Sequence, residues 1–256
     1  MKILLQNKNF VITNNSLISI NSDNIAENGS LIKIAEPKFT IIKNITRATI
    51  ALITLGGVVP KNNPDNIPSS ASTIYKKYSI SGIKDLTSDN YETIDNGFDP
   101  ANVNADPDRM LPIDAMRDFE KKGEIYALYD YFYTSSGLSM AVATAETLGA
   151  SIATELKNTD VDGIILTCGD GTATRAGATM CKKIEEILLK PVVIVTALTP
   201  IAKTVGASRI VAGQTIPCPL GNSTLSADEE LTLREEILQK CLTALTTEVS
   251  EPTVFE

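Results

Sequence analysis

The chain has 256 residues, 43% hydrophobic and 21% charged, enough for one large or two small folded domains with a real core. Its net charge of -8 and pI near 4.8 repel phosphate backbones and anionic lipid, so neither nucleic acid nor a membrane surface is expected as a partner. Histidine is absent, which rules out Ser-His-Asp and Cys-His chemistry within this chain and leaves proton transfer to Asp, Glu, Lys, Tyr or Cys, or to another subunit.

Residues 1–45 are rich in Asn, Ile and Ser, with short alternating stretches such as Phe10-Val11-Ile12 and Leu31-Ile32-Lys33-Ile34. They predict a short β-rich arm. The apolar start turns polar at Gln6-Asn7-Lys8-Asn9, unlike a signal peptide, and no apolar run reaches membrane-spanning length. A cytoplasmic protein is expected. From residue 46 a single α/β domain is expected. Ala48 to Thr54 is a nearly continuous apolar run ending at Gly56-Gly57, the pattern of a parallel strand buried on both faces. Residues 60–110, full of Pro, Asn, Asp and Ser, read as a long functional loop or as short elements that periodicity does not resolve. Helices are predicted over 112–122, with proline near the start, and over 138–157.

The clearest pattern follows. Strands are predicted at 163–168, 191–196 and 208–211. Helices are predicted at 172–189 and at 227–247, the latter with Asp228, Glu229 and Glu230 in its first turn. This strand–helix–strand alternation predicts a doubly wound, Rossmann-like parallel sheet flanked by helices.

In such sheets ligands lie beyond the carboxyl ends of the strands. The turn to examine is Thr167-Cys168-Gly169-Asp170-Gly171-Thr172-Ala173-Thr174-Arg175. Gly169 and Gly171 let the backbone approach a ligand, and the following helix points free N–H groups at an anion. Thr172, Thr174 and Arg175 supply donors suited to a carboxylate. The spacing is neither G-x-G-x-x-G nor a Walker loop, so a nucleotide is disfavoured. The plainer reading is a tight turn with Asp170 or Thr172 capping the helix. Cys168 at a helix N-terminus is a candidate nucleophile with a lowered pKa. Cys218, in another loop after a strand, gives a two-cysteine arrangement similar to that of cofactor-independent amino-acid racemases. Against this, each cysteine also reads as a small buried hydrophobe. The cysteines at 168, 181, 218 and 241 form no C-x-x-C pair, so neither a disulfide framework nor a metal site is expected.

The segment Gly171-Thr172-Ala173-Thr174-Arg175-Ala176-Gly177-Ala178-Thr179-Met180 resembles the selenocysteine loop of protein B of the glycine/sarcosine/betaine reductases. The resemblance extends through Gly56-Gly57-Val58-Val59-Pro60-Lys61, Asp106-Pro107-Asp108-Arg109, Asp130-Tyr131-Phe132-Tyr133, Thr204-Val205-Gly206-Ala207 and Ile216-Pro217-Cys218-Pro219-Leu220-Gly221. It covers about residues 46–256 and corresponds to the C-terminal half of the family's longer subunit. The small selenoprotein subunit of D-proline reductase is a relative of similar length.

The resemblance implies reductive C–N cleavage of a small amino acid or betaine, in an oligomeric assembly. No cofactor is implied in this chain. A partner subunit would carry a pyruvoyl group that captures the substrate amine, the selenolate would attack the carbon bearing nitrogen, and a second small selenoprotein would receive the fragment. Here Asp170 stands where the family has selenocysteine, Ala173 and Ala176 stand where it has cysteines, and Asp95 and Cys218 stand where it usually has histidines. The reaction is therefore expected to be impaired. The alternatives are a non-redox binding or regulatory paralogue and a racemase-like enzyme using Cys168 and Cys218. Asp170 and Cys168 are the candidate reaction centre, and Gly169, Gly171, Thr172, Thr174 and Arg175 the candidate substrate contacts. Asp95, Asp99 and Tyr133 are weaker candidates from the upstream region.

Overall fold

A computed structural model describes residues 40–256 and, ahead of them, strand segments β1 (Leu4–Leu5), β2 (Lys8–Thr13) and β3 (Ser16–Ser19). The chain divides into two units, Met1–Lys38 and Phe39–Glu256. In the first, β1, β2 and β3 form an antiparallel sheet. The expected stretch Leu31 to Ile34 lies outside the described residues.

The second unit begins earlier than composition suggested. The Ile42 N–H donates to the Leu245 carbonyl at 2.9 Å, tying residues expected in the arm to the larger unit. Its strands are β4 (Thr49–Thr54), β5 (Val58–Pro60), β6 (Lys76–Ser79), β7 (Tyr91–Thr93), β8 (Ala127–Thr134), β9 (Val161–Thr167), β10 (Val192–Thr196), β11 (Arg209–Ala212) and β12 (Thr253–Phe255). Its helices are α1 (Ala101–Ala105), α2 (Ile113–Lys122), α3 (Val142–Leu156), α4 (Gly171–Leu188), α5 (Thr199–Val205) and α6 (Ala227–Thr246). The main sheet has the order β12-β11-β10-β9-β4-β8-β6. Neighbours are parallel except edge strand β6, which runs antiparallel to β8. β5 and β7 pair as a separate antiparallel ribbon.

The central strands are apolar throughout because each feeds two cores. Ile50 and Leu52 of β4, Ile165 of β9 and Val193 and Val195 of β10 enter one core, packed with Met116 and Phe119 of α2 and Ile237, Leu238 and Cys241 of α6. The alternate residues Ala51, Ile53, Ile164, Leu166, Val192 and Ile194 enter the other, under Ile152 of α3, Met180 and Ile184 of α4 and Ala202 of α5. The period of two in a strand makes this division automatic.

Taken in chain order, β4, β8, β9, β10 and β11 lie in the spatial order 2-1-3-4-5, a doubly wound arrangement that reverses between β4 and β9. The carboxyl ends of those two strands are Thr54-Leu55-Gly56-Gly57 and Thr167-Cys168-Gly169-Asp170.

Residues 60–110 resolve into β6, β7, α1 and a 3-10 turn over Pro107–Arg109. β8, α5 and β12 were not legible as elements. In β8 the register shifts opposite Ile50 and Leu52, and the outward Tyr131 and Asp130 break the alternation that marks a strand.

Candidate functional site

Asp170 is the N-cap of the eighteen-residue α4. Its Oδ1 accepts the Thr172 N–H at 2.6 Å, the Thr172 hydroxyl at 2.8 Å and the Ala173 N–H at 3.0 Å. These are the free donors a helix N-terminus offers. Its other oxygen, Oδ2, is buried with no hydrogen-bond partner. The Thr172 hydroxyl in turn accepts the Ser139 N–H at 3.0 Å.

Asp95 reaches the same place from the loop after β7 and is 2% exposed. Its carboxylate accepts the Gly97 N–H at 2.9 Å and the Ser136 hydroxyl at 3.1 Å. Burial pushes the Asp95 carboxyl up to about 6; the Gly97 N–H opposes the rise and the charge of Asp170 adds to it. One loop, residues 135–139, thus holds Asp95 through Ser136 and Asp170 through Ser139 and Thr172.

Three threonines stand at the ends of the adjacent strands β4, β8 and β9. Register sets Thr54 beside Thr134 on one side and Thr167 on the other. The Thr167 hydroxyl donates to Thr54 Oγ1 at 2.9 Å, which also accepts the Gly56 N–H at 3.0 Å. Thr134 Oγ1 is buried and unpartnered. Met110 and Phe98 roof this turn. A Cβ on Gly169 would lie 2.7 Å from Met110 Cε and 2.8 Å from Phe98 Cε1, so a side chain there would have to push the roof aside. Gly57, with φ +66°, then turns the chain away from β4.

The other sequence candidates fall in varied surroundings. Thr174 is fully buried and its hydroxyl is committed to the Asp170 carbonyl and Thr196 Oγ1, both at 2.7 Å, so it braces the turn instead of facing a ligand. Arg175 is exposed and donates to the Met140 carbonyl at 3.3 Å. Gly171 sits at the turn beneath Leu198, with its would-be Cβ at 3.4 Å from that side chain. Asp99 is exposed and accepts the Ala101 N–H at 3.0 Å, ahead of α1. Tyr133 is buried over α3, its hydroxyl 3.3 Å from Glu155 Oε2, and burial raises its pKa.

Cys168 needs a correction. The expected lowering of its pKa does not occur: burial raises it well above the ordinary thiol value, and the charges of Asp170 and Asp95 raise it further. The thiol points under α4, where its Sγ is 2.5 Å from a Cβ built on Gly177. Cys218 is buried with a pKa pushed up to about 11 by burial, against the opposing pull of Arg109. The two cysteines belong to cores on opposite faces of the sheet, so the convergence that a two-cysteine mechanism needs is missing.

Sequence reasoning missed Ser136, Thr134 and Met110. Thr134 ends β8 and Ser136 lies just after it, and the strand's broken alternation hid that end. The available signal was Gly137, closing an aromatic run as Gly56 closes β4.

The profile of the family described as glycine/sarcosine/betaine reductase selenoprotein B matches residues 31–169. The glycine reductase complex component B subunit gamma of Carboxydothermus hydrogenoformans is 51% identical over 220 residues, covering 86% of this chain and 50% of that protein. The betaine reductase complex component B subunit beta of Peptoclostridium acidaminophilum is 42% identical over 225 residues, covering 88% and 50%. The D-proline reductase subunit gamma of Acetoanaerobium sticklandii is 30% identical over 181 residues, covering 67% and 69%. The chain spans about half the length of its glycine- and betaine-type relatives. No solved structure matches it significantly.

Proposed function

The chain belongs to the glycine/sarcosine/betaine reductase selenoprotein B family, and from that premise we propose that it is a component-B-type subunit of a cytoplasmic amino-acid reductase complex that binds substrate but does not carry out the selenolate step. Its greater similarity to the glycine-type relatives favours a glycine-like substrate over betaine. Its partners are a pyruvoyl-bearing subunit and a second small selenoprotein. Asp170 carries the reading: by the resemblance of its loop it stands in the place of the family's selenocysteine, and it lies at the N-terminus of α4 beside the reversal point of the sheet. A carboxylate there accepts hydrogen bonds as a selenolate would, but it cannot cycle through a redox state and is a poor nucleophile at an alkyl carbon. No thiol takes over. Cys168 is buried with a raised pKa, and the neighbouring Ala173 and Ala176 are fully buried methyl groups.

The test is reconstitution with the pyruvoyl-bearing subunit and the remaining reductase proteins, reading acetyl phosphate formed from glycine, sarcosine or betaine. The chain is expected to join the complex and to yield no product. Asp170→Cys is expected to gain a thiol that alkylates rapidly at neutral pH, because the N-cap donors stabilise the thiolate. Failure to assemble, or full turnover by the unaltered chain, would overturn the proposal.

A further inference from the structure

At the opposite end of the sheet from Asp170 there is an open cavity of about 330 Å³. It lies between the segment entering β4, the start of β9 and the turn from α4 to β10, and all its lining residues belong to the unit Phe39–Glu256. The volume falls at the lower end of the range for small-molecule sites, about 300–1,000 Å³.

The lining is cationic in an acidic chain. Lys43 and Arg47 come from the segment before β4, and Lys190 from the turn after α4. Asp162 is the one acid among the lining residues. Three positive charges against one negative leave a local surplus of two, in a chain whose net charge is -8. Among the described residues, Lys43, Arg47 and Lys190 form no ion pair with a carboxylate. Asp162 is committed to the backbone instead: its Oδ2 accepts the N–H of Thr49, the first residue of β4, at 3.0 Å.

The backbone fixes where two of these cations stand. Asn44 Oδ1 accepts the Thr46 N–H at 3.2 Å and the Thr46 hydroxyl at 2.8 Å, holding the 3-10 turn Ile45–Arg47 that ends in Arg47. A lysine just past a helix commonly serves the helix's last carbonyls. Here the Thr40 hydroxyl donates to the Leu189 carbonyl, and Lys190 Nζ donates across to the Val161 carbonyl of β9. Two of its three N–H donors remain for a ligand.

Like charges gathered without counter-ions repel one another, and a bound anion relieves that cost. A phosphoryl group carries about −1.5 to −2 charge at neutral pH and three strong acceptor oxygens. It matches the surplus of two, and the arginine fork suits it. A monocarboxylate brings less charge and fewer oxygens. We propose that Lys43, Arg47 and Lys190 form a binding site for the phosphoryl group of a small phosphate monoester. This goes beyond the component-B reading and does not depend on it. The eighteen-residue α4 separates the two ends of the sheet by about 27 Å.

The experiment is calorimetric titration of the full chain, without partner subunits, with the sodium salts of phosphate, methyl phosphate, succinate and acetate at neutral pH and constant ionic strength. Phosphate and methyl phosphate are expected to bind at a single site, with succinate and acetate at least tenfold weaker. Lys43→Gln combined with Arg47→Gln should weaken methyl phosphate at least tenfold. Both residues are exposed, so thermal unfolding of that variant without ligand should match the unaltered chain. Asp162→Asn keeps an oxygen for the Thr49 N–H and removes the negative charge, so it should tighten methyl phosphate several-fold. Damage to the fold would not produce such a gain. No binding of phosphate or methyl phosphate, undiminished binding in the double variant, succinate binding as tightly as methyl phosphate, or weaker binding in Asp162→Asn would each overturn the site. No reductase partner enters these titrations, so their outcome and that of the reconstitution stand apart.

Discussion

At Asp95 the cost of a buried acid becomes a pH dependence. Its carboxyl is pushed from 3.8 to about 6 by burial, with the Asp170 charge contributing. Below pH 3.8 the group is protonated in both folded and unfolded chains and carries no penalty. As pH rises toward 6 the unfolded chain ionises first while the folded one keeps its proton, so stability falls across that window. Above about 6 the loss is complete, about 2–3 kcal/mol for such a displacement. Asp95→Asn cannot ionise and escapes the loss. Its stability relative to the unaltered chain should therefore grow between pH 4 and pH 7, as read by urea unfolding at both. A constant difference would mean that Asp95 ionises as freely in the fold as outside it. Cys168 supplies a second case at this scale. Its thiol fills the space beside Gly177, so Gly177→Ala should overpack the site and cost about 1–3 kcal/mol. Adding Cys168→Ala should recover most of that loss. Native-state labelling at neutral pH should find Cys168 as slow as Cys181 and Cys241, since all are buried.

At the scale of the element, α4 shows both the reach and the limit of sequence reading. A cap at this turn was legible, with Asp170 and Thr172 both candidates, because such residues ahead of an amphipathic run satisfy its free N–H groups; the structure makes Asp170 the cap. Asp170→Ala should cost about 1 kcal/mol and Asp170→Ser much less, measured by thermal unfolding. A cost for Ser equal to that for Ala would show that the cap contributes nothing. The strands β4, β9 and β10 were legible for the same kind of reason: both faces are buried, so the apolar run is unbroken. β8 was not, because its bulge and its solvent-facing Asp130 and Tyr131 mimic a loop. With β8 hidden, the segment after it was hidden too, and so were Thr134 and Ser136. The pairing of Asp95 with Asp170 joins residues 75 positions apart through that segment, which no local periodicity reveals. Cys168 was misjudged because strand alternation decides which side of the sheet a strand-end residue faces. Thr167 faces one core, and Cys168 necessarily faces the other, under α4.

Across the molecule, Arg209 is the residue on which distant parts meet. It is fully buried on β11. Its Nη1 donates to Glu185 of α4 at 2.9 Å, its Nε to the Ala244 carbonyl of α6 at 2.8 Å, and its Nη2 to the carbonyls of Thr40 and Thr247 at 3.1 and 3.2 Å. Glu185 is completed by the Ser208 hydroxyl at 2.5 Å and the Val192 N–H at 3.0 Å. Helices from both faces of the sheet are thereby fastened to one guanidinium together with the segment that leads into β4. Burial lowers the pKa of Arg209 and raises that of Glu185, each resisted by the partner's charge. The energy of such a pair lies in its completeness: removing one member strands the other in a dry interior. Arg209→Met should cost about 3–5 kcal/mol, as should Glu185→Met, by urea unfolding. The double variant replaces both charges with apolar volume and should cost far less than the two losses together. Additive losses would instead mean that the carbonyls of Thr40, Ala244 and Thr247, left without their donor in either case, dominate over the ion pair. The bolt would then be Arg209 with its carbonyls, and Glu185 would serve chiefly Ser208 and the start of β10.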